Sequence, residues 1–179
     1  MYSDIDIKIA GDKPSKDINR NNLRAESQKN IDKVQVNNAR SWGKAVALNF
    51  IKNANEAVSD GTSNLEMIIQ RRMLLSFTAT VGFEQLSTDD TLSGIAQKSF
   101  LDTVKKADAE LYRTCEDTGA FSFYYLAFRR GGDTDRRIGQ TFAMLCSHDG
   151  DPIYQELGEA LYCWFLSIVK KSAKEFDII

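Results

Sequence analysis

The chain has 179 residues, 42% hydrophobic and 27% charged, with a formal net charge of −2. A chain of this size buries a core without needing disulfides or a structural metal, and its charge balance provides no bulk attraction to nucleic acid or to an anionic membrane, leaving that to local patches. Its three widely spaced cysteines, Cys115, Cys146 and Cys163, exclude a disulfide framework and read as reduced thiols, as expected of a cytoplasmic protein.

The opening Met1-Tyr2-Ser3-Asp4-Ile5-Asp6 lacks the basic and apolar regions of a secretory signal. The longest apolar stretch, within 160–169, is about half of a membrane span, so no membrane association is expected. Residues 1–38 read as a polar arm or linker and residues 39–179 as a helical bundle domain. Within the arm, Asp4–Ile9 alternates with period two and places Ile5, Ile7 and Ile9 on one face of a short strand. A lone strand leaves its backbone groups unpaired. It either adds to another chain or stays an unstructured terminus. Residues 20–38, weakly periodic, read as an exposed helix or a linker.

From Ala39 the apolar period is helical. Trp42, Val46, Phe50, Ala54 and Val58 form one stripe of a helix over 39–58. Asp60-Gly61 makes a turn, and Ser63-x-x-Glu66 is a capping box opening a helix over 64–86. That helix is apolar on most sides, which predicts a central position. Ser87–Asp90 supplies the next cap, and one long helix is expected to run to about 117. The aromatic run 121–128 fits helix or strand; helix is chosen because no second strand follows to pair with it. Asp133 or Thr134 caps a helix over 134–147. Asp151 with Pro152 opens the last helix, 152–176, whose core face is expected to carry Ile153, Leu157, Leu161, Trp164, Ile168 and Val169. The fold class is therefore all-α: a bundle of five or six helices with an extended N-terminal arm carrying at most one short strand.

Much chemistry is missing. The single histidine, His148, rules out His-Glu-x-x-His zinc sites and paired Glu-x-x-His di-iron sites. No P-loop, dinucleotide fingerprint, nucleophile elbow or Cys-x-x-Cys pair occurs. No catalytic residue, metal ligand set or cofactor is assigned. Three features remain. Arg129, Arg130, Arg136 and Arg137 flank Gly131-Gly132 ahead of a helix N-terminus, a candidate anion clamp, against the plainer reading of a solvated turn with local ion pairs. Glu156 and Glu159 share a helix face, as in magnesium-dependent all-α nucleotide hydrolases, but lack a second acidic pair. Arg71-Arg72, inside an apolar helix, calls for a carboxylate partner.

The two aromatic runs, 121–128 and 161–166, exceed what one buried face needs. Phe121, Tyr125, Phe128, Tyr162 and Phe165, with Ile5, Ile7 and Ile9 of the arm, are the candidate interface. The expected function is a non-enzymatic interaction or assembly protein, a homo-oligomer or the partner of another protein. The alternatives are an anion- or nucleic-acid-binding module using the four arginines, which ranks below self-association, and a metal-dependent helical nucleotide hydrolase.

Overall fold

A computed structural model describes residues 32–54, 65–116 and 118–179. Seven helices occupy them: α1 (Lys33–Ala54), α2 (Leu65–Leu86), α3 (Asp90–Ala107), α4 (Ala109–Cys115), α5 (Thr118–Arg129), α6 (Thr134–Leu145) and α7 (Pro152–Glu175). The fold is all-α, and the aromatic run is helical. The expected strand with Ile5, Ile7 and Ile9, the Asp60-Gly61 turn and the Ser63 cap lie outside the described residues. The described helices all belong to one compact unit, Asp32–Ile179.

The helix count exceeds the expected five or six because the long third helix is broken at Asp108. Its backbone is extended (φ −152°, ψ 104°), its N–H donates to Val104 O, and its carboxylate accepts from Glu110 N and Leu111 N. One aspartate thus ends α3 and caps α4. The first helix also starts early, inside the segment read as arm. Asp32 and Gln35 form a reciprocal cap there: Val34 N donates to Asp32 Oδ1 (3.2 Å) and Asp32 N donates to Gln35 Oε1 (3.3 Å).

Other caps fall where expected. Asp89 accepts from Thr91 N and Leu92 N, and hydrogen bonding from Thr91 holds its carboxyl below the usual range. Asp151 accepts from Ile153 N, with Pro152 beginning α7. Asp133 occupies the cap position of α6 but makes no side-chain cap bond, because its backbone (φ −73°, ψ 79°) departs from the extended form of Asp89 and Asp151.

Two apolar clusters fill the unit. The first joins Trp42, Val46 and Phe50 of α1, Leu75, Ala79 and Phe83 of α2, Phe100 and Val104 of α3, and Phe165, Val169 and Ala173 of α7. The second joins Met73, Leu74, Phe77 and Val81 of α2 to Tyr124 of α5, Ile138 and Phe142 of α6, and Tyr162 of α7. Both clusters draw on α2, whose residues Met73–Phe83 are all buried, so its predicted central position holds. Helix α7 serves both clusters as well, and its buried face is Gly158, Tyr162, Phe165, Val169 and Ala173. Of the expected stripe, Val169 is buried and Leu157, Leu161 and Ile168 pack half-buried against the clusters, whereas Trp164 is 39% exposed and Ile153 73%.

Candidate anion-binding groove

Helices α1 and α3 form the most extensive helix contact of the unit. Gly43 of α1 permits the approach: a Cβ there would lie 2.1 Å from Ala96 O and 3.0 Å from Ser99 Cβ. Ser99 Oγ completes the joint by donating to Arg40 O across the pair (2.8 Å). Apolar residues of both helices turn inward, and their polar faces border an open groove of about 730 Å³.

Four cations line this groove, Arg40 and Lys44 from α1 and Lys98 and Lys106 from α3, against one carboxylate, Asp102. Arg40, Lys44, Lys98 and Lys106 are exposed, whereas Ser99 and Thr103, set between the two rows, are half-buried. Thr103 Oγ1 donates to Ser99 O (2.7 Å). Against a chain net charge of −2, this concentrates positive potential on one face, the arrangement that attracts a polyanion. Sequence reading missed it. Arg40 and Lys44 are one turn apart, as are the polar residues 98, 102 and 106 in steps of four, but each set alone looks like an ordinary solvated helix face.

The predicted arginine clamp is only partly assembled. Gly131 and Gly132 both have positive φ (66° and 73°), the left-handed conformation that glycine tolerates. Arg137 Nη1 donates to the carbonyl oxygen of Gly131, so this arginine ties the turn that was expected to present it. Arg129 lies over the Tyr125 ring, 5.8 Å from its centroid. Arg130 meets Arg137 in a recess of about 210 Å³ that also carries Asp149. Arg136 is exposed. The four do not converge on one point.

The candidate interface residues are displaced too. Tyr162 and Phe165 are buried in the two clusters, because the faces of α7 that carry them pack against α2 and α6. Phe121, Tyr125 and Phe128 are half-buried around Phe77, with ring centroids 5.9, 5.2 and 6.2 Å from it. The large apolar residues of α5 that face outward are Phe123 and Leu126, 50% and 52% exposed.

Several other polar side chains among the described residues make local contacts. Arg72 Nη1 lies 3.8 Å from Glu110 Oε1, the carboxylate partner its position called for. His148 stacks on Tyr154 at 3.7 Å, with its Nδ1 3.8 Å from Asp151 Oδ2, bracing the turn into α7. Glu156 is exposed and Glu159 half-buried, and no group of three metal-ligating side chains occurs among the described residues. Burial pushes the thiols of Cys115 and Cys163 up to about 11 and that of Cys146 up to about 12, so none is a thiolate nucleophile at neutral pH. No described helix is long and apolar enough to cross a membrane. Compared with protein-family models, curated proteins and solved structures, the chain has no significant match to any.

Proposed function

We propose that the chain is a non-enzymatic binding module for a phosphate-bearing polyanion. The reading is carried by one observation: the groove between α1 and α3, with four cations against one carboxylate. Cations on two helices address an extended anion from both sides, and each phosphate they neutralise releases condensed counterions, which makes affinity fall with salt. Titrating a labelled oligonucleotide by fluorescence anisotropy at several salt concentrations tests it. Binding should weaken steeply with salt, and the paired substitution Lys98→Glu and Lys106→Glu should reduce affinity more than tenfold and flatten the salt slope by about 1 for each lysine. Unchanged affinity in that variant overturns the reading. So does a matching loss from Arg129→Glu with Arg136→Glu, which would move the site to the arginine turn.

A second reading, self-association, is favoured by Phe123 and Leu126. They stand half-exposed in the middle of α5 although its other face already packs on Phe77. Apolar side chains on one stripe of an outer helix suit a second copy of the same surface. Sedimentation should give a multiple of 20.1 kDa for the native chain and the monomer mass after Phe123→Ser with Leu126→Ser. A monomeric native chain removes this reading and leaves the groove untouched.

A further inference from the structure

The groove holds acceptors as well as cations, and the acceptors narrow its ligand. A serine or threonine hydroxyl has one proton to donate and two lone pairs to accept with. Both hydroxyl protons in the groove are already spent, Ser99 Oγ on Arg40 O and Thr103 Oγ1 on Ser99 O. Their oxygens therefore remain only as acceptors. Asp102, set between Lys98 and Lys106 on α3, adds a carboxylate that accepts and cannot donate. A bare phosphate chain brings acceptors and negative charge to these positions and meets repulsion there. The complementary ligand alternates phosphates with hydroxyl donors.

Spacing and lining agree with a strand of such units. Lys98 and Lys106 are eight residues apart on α3, about 12 Å at 1.5 Å per residue. That separation gives the two lysines successive, not shared, phosphates of an extended strand. No aromatic ring is among the described residues lining the groove, so it offers no platform for base stacking and reads the backbone alone. We propose that the groove holds the sugar–phosphate backbone of RNA, with Arg40, Lys44, Lys98 and Lys106 on the phosphates and Ser99 Oγ, Thr103 Oγ1 and Asp102 accepting from ribose 2′-hydroxyls. This assignment rests on the groove being the polyanion site. The 2′-hydroxyl is the group that distinguishes RNA from DNA at such a surface.

Three labelled strands of one sequence test it on the full chain: RNA, DNA, and RNA methylated at every 2′-oxygen, which keeps the charge and loses the donor. RNA should bind about fivefold or more tightly than either of the others, the factor that one net hydrogen bond of average strength supplies. Thr103→Val should narrow that preference with the salt slope unchanged. Asp102→Ala should narrow it too while strengthening binding of all three strands, because a carboxylate leaves the phosphate path. Equal, salt-dependent affinity for the three strands, lost in the Lys98→Glu, Lys106→Glu variant, overturns the RNA assignment and keeps the groove. Inorganic polyphosphate competing as strongly as RNA also overturns the assignment. Failure of every strand to bind at low salt removes the groove reading itself.

Discussion

Trp42→Ala should lower the stability of the fold by about 3–5 kcal/mol, the range for removing a fully buried large aromatic. Trp42 has no exposed surface and joins three helices at once. From α1 its ring meets the Phe83 ring of α2 edge-on, with centroids 4.8 Å apart and planes at 88°, a geometry favoured by the ring quadrupoles. Its Nε1 donates to Val169 O of α7 (3.2 Å). Truncation removes apolar burial and the hydrogen bond together, and opens a cavity against helices that are held by other contacts. Urea unfolding followed by far-ultraviolet circular dichroism measures the effect, and a thermal scan should show a melting temperature lowered by about 10 °C or more. Trp42→Phe keeps most of the volume and should recover most of the loss, leaving a deficit of about 1 kcal/mol for the missing hydrogen bond. A loss below about 1 kcal/mol for the alanine variant would mean that α1 is not anchored on α2 and α7 through this ring.

What could be read in the sequence was what depends on one helix at a time. The stripe through Trp42, Val46, Phe50 and Ala54 is buried along its length, and the all-round apolar pattern of α2 put it at the centre. Asp89 and Asp151 announce their helices because a short acidic side chain before an apolar period has one good use, accepting from free amides. The break at Asp108 was hidden for a related reason: Leu111 stays in phase with Val104, seven residues before it, so the hydrophobic period runs through an interruption that only the backbone reveals. The start of α1 falls in the stretch read as an exposed helix or a linker, and the choice stays open in the sequence because Asp32-x-x-Gln35 precedes few apolar residues. On α7 the large apolar side chains were counted and Gly158 was not. Yet a Cβ at Gly158 would lie 2.5 Å from Phe142 Cβ, so this glycine marks the face that α6 touches. The core side of the helix is turned accordingly, burying Tyr162 and Phe165 and leaving Trp164 outside.

The groove was illegible for a different reason. Arg40 and Lys44 belong to one helix and Lys98, Asp102 and Lys106 to another, more than fifty positions along the chain. Neither set departs from an ordinary solvated face. Their meaning comes from which face of α1 lies beside which face of α3, and helix pairing is set by packing between elements rather than by the period within one. The arginine turn shows the converse. Four arginines close together in sequence look like a clamp, but Arg137 gives one of its donors to the Gly131 carbonyl and Arg129 lies over the Tyr125 ring, so the four point to different places.

Gly43→Ala should cost about 3 kcal/mol, at the upper end of what overpacking usually does. Alanine in place of glycine within a helix ordinarily stabilises by about 0.5–1 kcal/mol, so the expected sign is reversed here by contact alone. The added methyl would meet Ala96 O at 2.1 Å and Ala96 C at 2.9 Å. These are backbone atoms of α3 with no rotamer to change, so relief requires the two helices to move apart. Separation would break the Ser99–Arg40 hydrogen bond and spread the two rows of cations. Polyanion affinity should therefore fall along with stability, even at temperatures where the variant is fully folded. Gly94→Ala is the matched control. It too lies inside a helix, α3 rather than α1, but nothing stands within 4 Å of its added Cβ, and it should stabilise the fold by about 0.5–1 kcal/mol with binding unaltered. Denaturant titration of both variants, with oligonucleotide binding measured on each below its transition, separates the effects. A Gly43→Ala protein as stable as the Gly94→Ala protein would show that α1 and α3 are not in backbone contact. A destabilised Gly43→Ala protein that binds with native affinity would show that the groove does not depend on their close approach, and the cations would then have to act from each helix separately.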